Sequence, residues 1–375
     1  MERTKARRRR LALGALVVLA AGAFAIGVAL GDSGSPQPEV EISVAETLPA
    51  PQLAGQRIVL GFGGAAVPPS VETAIRRGRV AGVVLFSDNL PGRAASRRLV
   101  ADLQAVRRPR ALRDPLLVMV DQEGGLVKRL PGAPTASAAE MGARGPTFSR
   151  GQGRRTAADL RAVGFNVDLA PVLDVARPGG TIATTERGFG ASAAAVTATA
   201  VPFATALQRG GVAATAKHFP GLGAATENTD FAVQRIGLSK QTLRSVDEVP
   251  YRAFVAAGGE MVMLGTAIYP AFSPEPAAFA HEIATGELRG RLGFEGVSIT
   301  DALDTVAVRA FGGPAKAGLA AARAGSDLLL FTQPAPAERA WRALVGELRG
   351  GRLDRGEFEA AAQRVLDLRR RLADR

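Results

Sequence analysis

Polar side chains capable of acid/base or nucleophilic chemistry recur at one kind of place in this sequence, at or just after the ends of short apolar runs. They are Asp88, Asp121, Asp174, Lys217, His218, Thr266 and Asp301. A single Asp in such a place is ordinarily a turn or helix-cap residue. Because the pattern repeats over six runs, it indicates a shared site. Carboxylates, an imidazole, a lysine and arginines suffice for hydrolysis or glycosyl transfer, which needs two carboxyl groups.

The composition excludes several other kinds of functional site. The chain of 375 residues has no cysteine and two histidines, His218 and His281. This excludes disulfide scaffolds, thiolate chemistry and histidine-rich zinc sites. The formal net charge of +12 is not accompanied by an interleaved basic and aromatic patch of the kind that binds nucleic acid. We therefore expect no metal, no cofactor and no nucleic-acid partner.

One short motif suggests a nucleotide site. Residues 61–66, GFGGAA, fit the pattern G-x-G-x-x-[GA] after an apolar run, and Asp88 lies where a ribose-binding acid could be. The next residues, Val67-Pro68-Pro69, break the helix that would receive a pyrophosphate. We therefore do not expect nucleotide binding.

The elements that must position these groups alternate regularly from residue 56 onward. Helical patterns separate runs that are continuously apolar, as is typical of strands buried on both faces of a parallel sheet. Eight such units over about 320 residues predict an α/β fold, the (β/α)8 or TIM-type barrel. An open doubly wound sheet is the alternative. The predicted strands are 57–62, 80–86, 115–121, 165–174, 211–219, 260–268, 296–303 and 326–333.

The N-terminus carries a different signal. Residues 1–10 hold six positive charges and one negative charge, and residues 11–30 are uncharged and mainly apolar, long enough for a membrane-spanning helix. We expect a transmembrane anchor with the rest of the chain facing outward. A cleaved signal peptide, which would make the protein secreted, is the alternative. Residues 31–53, rich in Pro, Ser, Gly and Glu, read as a flexible linker before a barrel domain at 54–375.

Five ordered motifs carry a family resemblance: VDQEGGLVKRLPG at 120–132, GFNVDLAPVLDV at 164–175, ERGFG at 186–190, KHFPGLG at 217–223 and GVSITDALD at 296–304. The segment from about residue 55 to the C-terminus resembles glycoside hydrolase family 3. Its single-barrel length is similar to that of the bacterial β-N-acetylglucosaminidase (β-hexosaminidase) branch.

The resemblance implies a role for several side chains. It places the nucleophile at Asp301, after the seventh strand, where an ionised carboxylate could form a glycosyl-enzyme intermediate. It implies sugar contacts for a second set of residues, whose carboxylate and cationic groups can hydrogen-bond to hydroxyl groups. These contacts are Asp121, Arg129, Arg187, Lys217 and His218. Asp304, three residues after the nucleophile, is expected to be structural.

The sequence departs from the family in the loop that normally supplies the acid/base histidine. That loop usually carries Asp-Ser-His, and here those positions are Asn228-Thr229-Asp230, while Leu222 replaces a glycine-flanked histidine. Asp230 stands where the imidazole would be. A carboxyl group with a raised pKa can protonate a leaving oxygen, so we expect Asp230 to be the acid/base, with Glu227 as the other candidate.

Three functions remain open at this level. The first is a retaining exo-glycosidase that hydrolyses a terminal β-linked N-acetylhexosamine, with glycans derived from the cell wall as its natural substrate. The second is a catalytically impaired sugar-binding protein at the outer face of the membrane. The third is an exo-glycosidase for another sugar. The altered loop is the feature that separates them.

Overall fold

A computed structural model describes residues 43–375, and its framework is one sheet of eight parallel strands. A short antiparallel pair, β4 and β5, follows β3. The strands are β1 (Ile58–Leu60), β2 (Gly82–Val84), β3 (Leu117–Val120), β4 (Gln122–Gly124), β5 (Val127–Lys128), β6 (Val167–Asp168), β7 (Ala213–Phe219), β8 (Met261–Leu264), β9 (Val297–Thr300) and β10 (Leu329–Phe331). Every strand of the large sheet lies inside one of the eight predicted runs.

The large sheet closes almost completely into a barrel. Its order, β10-β1-β2-β3-β6-β7-β8-β9, follows the chain, and its two ends meet at a parallel bridge between Ile299 and Leu328. The Thr300 amide donates a hydrogen bond to the Leu328 carbonyl at 3.0 Å. A doubly wound sheet would instead reverse its strand order and leave two free edges. The order and the bridge therefore favour the predicted barrel over the open alternative.

Helices alternate with the strands and cover the outside of the barrel. Glycine ends some of these helices, and Gly325 adopts a left-handed φ of 100° at the end of the helix Gly313–Ala324. The α-helices are Val44–Thr47, Ala50–Gly55, Pro69–Arg76, Arg93–Ala105, Ala138–Arg144, Pro146–Val163, Thr181–Thr184, Ala193–Arg209, Lys240–Thr242, Val249–Ala256, Val306–Arg309, Gly313–Ala324, Pro334–Arg349 and Arg355–Ala373, with π-helical turns at Leu243–Asp247 and Glu282–Arg291.

The C-terminal helix closes one end of the barrel. Val365, Leu368 and Leu372 from this helix join the apolar cluster formed by side chains inside the strands, such as Met119 and Ile299. Burying these side chains removes apolar surface from water at the amino ends of the strands. The opposite end, where the strands finish, is thereby left to hold a site.

The linker predicted for 31–53 is wrong for its last eleven residues. Ser43 caps a short helix through a capping box with Glu46, and Ala45, Leu48 and Leu53 are buried against the barrel domain. The Pro and Glu that suggested a linker act here as helix-start residues. The predicted basic flank 1–10 and the apolar segment 11–30 lie outside the described residues, and no helix within 43–375 is long and apolar enough to span a membrane.

The glycine-rich segment 61–66 does not have the geometry of a nucleotide site. It forms bends rather than the start of a helix, and the next helix begins at Pro69. The Gly64 amide donates to Asp88 Oδ2 at 3.0 Å, so this carboxylate holds the loop.

Candidate active site

A cavity of about 240 Å³ opens at the carboxyl ends of the barrel strands. It brings together all seven residues predicted as catalytic or sugar-binding, which are Asp121, Arg129, Arg187, Lys217, His218, Asp230 and Asp301. The other residues of the strand-end pattern, Asp88, Asp174 and Thr266, do not line it. Its lining comprises Val84, Phe86, Asp121, Glu123, Val127, Arg129, Leu169, Thr181, Arg187, Lys217, His218, Leu222, Asn228, Thr229, Asp230, Met263, Asp301, Ala302, Thr305, Leu330 and Thr332.

A hairpin after β3 supplies two carboxylates. Asp121 directly follows β3 and Glu123 lies on β4, two residues along, so that both line the cavity. The turn after them needs glycine because Gly124 and Gly125 have φ of 97° and 57°, and a Cβ on Gly124 would lie 2.3 Å from the Ala136 carbonyl oxygen. The motif DQEGG is thus a strand end followed by a tight turn.

Lys217 joins these two carboxylates. It lies on β7, and its Nζ is 2.8 Å from Asp121 Oδ1 and 2.7 Å from Glu123 Oε1. Burial alone would lower the pKa of Lys217, but the two carboxylates outweigh it and raise that pKa above its usual range. Lys217 is therefore charged and fixed in position.

Arg187 is held by the same acidic group. Its Nε and Nη2 each donate to one oxygen of Glu123 at 2.8 Å, a bidentate pair that fixes the guanidinium plane. Burial would raise the pKa of Glu123, but Lys217 and Arg187 lower it well below its usual range. Arg129, across the hairpin, has its Nη2 3.9 Å from Asp121 Oδ2.

The sequence reasoning did not select Glu123, although this residue organises the cluster. Its partners Arg187 and Lys217 are distant in the chain, so no local spacing reveals the contact. The available signal was the alternation of Asp121 and Glu123, which places both carboxylates on one side of an extended segment. A second missed carboxyl, Asp168, is buried beneath the hairpin and accepts from the Gln122 amide at 3.0 Å. Burial raises the pKa of Asp168 well above its usual range.

The carboxylate of Asp174 orients His218. The sequence pattern places Asp174 at a strand end, but we did not predict it as a catalytic or sugar-binding residue. His218 Nδ1 is 2.8 Å from Asp174 Oδ2, and Asp174 Oδ1 accepts from the backbone amides of His218 and Leu222 at 3.1 and 2.7 Å. These bonds fix both the imidazole and the start of the loop that follows it. The side chain of Leu222 lines the cavity.

Asp301 follows β9 and borders the cavity without an ion-pair partner among the described residues. Its Oδ1 accepts from the adjacent Ala302 amide at 2.8 Å. It caps no helix, since the short helix Val306–Arg309 is capped by Thr305. Asp304 has the structural role expected of it, because its carboxylate accepts from the backbone and side chain of Thr332 at 2.9 to 3.1 Å.

Asp230 lies in the loop after β7 and also borders the cavity. Its own amide donates to Asn228 Oδ1 at 2.9 Å, which closes a tight turn. Burial, and next the charge of Asp301, raise the pKa of Asp230 to about 6. Glu227 is exposed and does not line the cavity.

The charges of the cavity fall into two groups. The three cations, Arg129, Arg187 and Lys217, all pair with Asp121 or Glu123. The other two lining carboxyl groups, Asp230 and Asp301, have no cationic partner within residues 43–375. Like charges that face each other favour one proton on the pair, and this provides one acid and one carboxylate. Residues 43–375 contain no group of three or more side chains suited to hold a metal ion.

Among residues 43–375, the carboxyl face of the barrel joins a hydrogen-bonding cluster to two carboxyl groups without cationic partners, an arrangement typical of glycosidases. Comparison with known families agrees. The glycosyl hydrolase family 3 N-terminal domain matches residues 57–368. The chain therefore belongs to glycoside hydrolase family 3, as the motifs predict, and it is a β-N-acetylhexosaminidase-like hydrolase.

Relatives of known sequence support this assignment. A protein of Arthroderma benhamiae named an uncharacterized secreted glycosyl hydrolase is 37% identical over 330 residues, covering 85% of this chain and 93% of the relative. A β-hexosaminidase of Stenotrophomonas maltophilia is 35% identical over 302 residues, covering 77% and 87%.

Solved structures match as well. A family 3 β-N-acetylglucosaminidase from Paenibacillus sp. superposes with a TM-score of 0.83 at 31% identity over 88% of this chain, which spans 64% of that longer protein. A β-N-acetylhexosaminidase from Beutenbergia cavernae gives a TM-score of 0.80 at 33% identity, covering 86% of this chain and 98% of its own.

Proposed function

We propose that this protein is a retaining exo-glycosidase that removes a terminal β-linked N-acetylhexosamine from glycans. Asp301 attacks the anomeric carbon and forms a glycosyl-enzyme, while Asp230 protonates the leaving oxygen. Asp230 then takes a proton from water as that water attacks the intermediate. The observation that carries the proposal is the pair of cavity carboxyl groups, Asp230 and Asp301, for which residues 43–375 provide no cationic partner, beside a polar cluster whose charges are paired.

The polar cluster fits the sugar in the pocket. Asp121, Glu123 and Lys217 are locked by mutual ion pairs, so their remaining lone pairs and N–H groups point from fixed positions. Polar groups that are already fixed in position bind hydroxyl groups with little further loss of conformational entropy. Arg129, Arg187 and His218 line the same cavity and complete the set of proposed contacts. A single small cavity supports removal of one terminal sugar rather than cleavage within a chain.

The proposed location is outside the cytoplasm. The charged segment 1–10 and apolar segment 11–30 support either a membrane anchor or a cleaved signal. The Arthroderma relative is named a secreted protein. Glycans derived from the cell wall are the proposed natural substrate, since such an enzyme would meet them there.

Two aryl glycosides test this function. Residues 43–375 should hydrolyse aryl β-N-acetylglucosaminide much faster than aryl β-glucoside, and proton NMR should show the β-anomer as the first product. Mass spectrometry of protein quenched during turnover should show one glycosyl group on the peptide that contains Asp301. Binding of N-acetylglucosamine without hydrolysis would instead support an impaired sugar-binding protein, and preference for the glucoside would support another specificity.

A further inference from the structure

The large apolar side chains that are exposed within residues 43–375 all lie close in the chain to residues that line the cavity. They are Leu126, Phe231, Val233 and Val306, which are 76%, 74%, 40% and 60% exposed. Isolated exposed apolar residues are common on protein surfaces, but these four are not scattered. Each lies within three residues of a cavity-lining side chain.

Three segments of the chain, two turns and the start of the helix Val306–Arg309, place these residues next to the cavity lining. Leu126 is at the turn between β4 and β5 and precedes the lining residue Val127. Phe231 directly follows Asp230, and Val306 directly follows Thr305, both of which are lining residues. We call Leu126, Phe231, Val233 and Val306 together the apolar rim.

The position of the proposed acid, Asp230, determines which part of the substrate lies next to the apolar rim. Under the proposed function, the acid must lie within hydrogen-bonding distance of the glycosidic oxygen. The leaving group, which is attached to that oxygen, therefore passes out of the cavity beside Asp230. Phe231, whose ring is exposed, is the next residue in the chain. The sugar-binding cluster around Lys217 holds the other side of the bond.

We propose that the apolar rim is the binding site for the second sugar of the substrate, with the C–H face of that pyranose against the Phe231 ring. This inference rests on the proposed function and specifies its leaving group. A pyranose offers an apolar face and polar edges, and the mouth offers both kinds of partner. Asn228, Thr305 and Thr332 line the cavity together with the loops that carry the rim. An alkyl leaving group would leave these polar side chains without partners.

Matched variants of Phe231 test the proposal. Phe231→Tyr keeps the ring, Phe231→Leu keeps an apolar side chain without a ring, and Phe231→Ser removes both. The substrates are chitobiose, which has a second sugar, and the methyl and octyl β-N-acetylglucosaminides, which have none. Arg98→Ser, at an exposed residue of the helix Arg93–Ala105 that does not line the cavity, is the control.

The expected result is a change in selectivity. The ratio of kcat/KM for chitobiose to that for the methyl glycoside should fall about tenfold in Phe231→Leu and Phe231→Ser, in line with the strength of one aromatic contact. Phe231→Tyr and Arg98→Ser should keep the ratio. Val306→Ser, at the start of the helix Val306–Arg309, should lower the ratio by a smaller factor.

Other outcomes separate the two proposals. A ratio that is the same in all Phe231 variants, with the methyl glycoside still hydrolysed, would overturn the rim while leaving the glycosidase function intact. A ratio kept by Phe231→Leu together with a selective loss of the octyl glycoside in Phe231→Ser would show an alkyl-binding rim and refute the second sugar. Absence of hydrolysis of every substrate by the wild-type protein would refute the glycosidase function itself.

Discussion

Replacing Asp230 with asparagine should stabilise the fold at neutral pH while it removes the acid. The change keeps the shape of the side chain and removes its ability to ionise. Burial, and then Asp301, raise the pKa of Asp230 from an ordinary 3.8 to about 6. At neutral pH the wild-type protein therefore ionises a carboxyl group in an environment that disfavours the charge.

The size and sign of the effect follow from linkage. A group whose pKa is higher in the folded state than in the unfolded state stabilises the fold below the unfolded value, and that contribution is lost as pH rises through the folded value. Between 3.8 and about 6, each pH unit is worth about 1.4 kcal/mol. The wild-type protein should thus lose at most roughly 3 kcal/mol relative to Asp230→Asn over this window, and solvent at the cavity mouth reduces that figure.

Urea unfolding of residues 43–375 at pH 4, 5, 6 and 7 measures this difference. The two proteins should have similar midpoints at pH 4, and the variant should become progressively the more stable up to about pH 6. Glu227→Gln, at an exposed carboxylate in the same loop, should show no such divergence. If the difference between wild type and Asp230→Asn were constant with pH, or grew toward low pH, Asp230 would not have a raised pKa and would be a poor acid near neutrality.

Four further predictions concern the site and the domain boundary. Asp301→Asn should lower turnover by on the order of 10³ or more while calorimetry still detects sugar binding, and near-wild-type turnover would exclude Asp301 as nucleophile. Asp230→Ala should cripple substrates with poor leaving groups, spare activated aryl glycosides in the first step and be rescued by azide, whereas Glu227→Ala should do neither; rescue of the Glu227 variant alone would reverse the roles. Glu123→Gln should weaken the hold on Arg187 and Lys217, with a loss of about 3 kcal/mol in unfolding free energy and a higher KM, and unchanged values of both would contradict its organising role. Deleting residues 1–42 should leave a protein that unfolds cooperatively. Deleting residues 1–53 should lower the melting temperature because it also removes buried Leu48 and Leu53, whose burial contributes about 1.5 to 3 kcal/mol each. Equal melting temperatures for the two truncated proteins would support the predicted linker 31–53.

The strands of the barrel could be predicted from sequence because each is a short apolar run between helical patterns. Every residue of β3 and β9 is buried, so the choice of side chain at these positions is narrow. The site residues at the strand ends followed from the same reading, since parallel strands bring their carboxyl ends together. The nucleophile Asp301 and the sugar contacts needed the family motifs in addition, and their catalytic roles remain predictions.

Two features could not be read from local pattern. The end of the linker was misplaced because Ala45, Leu48 and Leu53 form too short a run to show helical periodicity, and their burial depends on the C-terminal helix. The Ala45 amide, for example, donates to Gln363 Oε1 at 3.1 Å. The role of Asp174 depends likewise on a contact with His218, which lies 44 residues further along the chain.

The family resemblance implies a histidine at the position of Asp230, and an aspartate there changes the charge of the proposed acid in both of its protonation states. A histidine acid is positively charged when it carries its proton, so it can share a cavity with a carboxylate nucleophile at no electrostatic cost. Asp230 carries no charge in its acid form and becomes negative when it gives up the proton, close to the charge of Asp301. Under the proposed mechanism, Asp301 would lose its charge by forming the glycosyl bond as Asp230 gains one, so the two carboxyl groups together would carry one negative charge throughout the first step. The lining cations Arg129, Arg187 and Lys217 are paired with Asp121 and Glu123. We therefore expect the proposed reaction to depend on this exchange of charge between Asp230 and Asp301 in place of an imidazole acid.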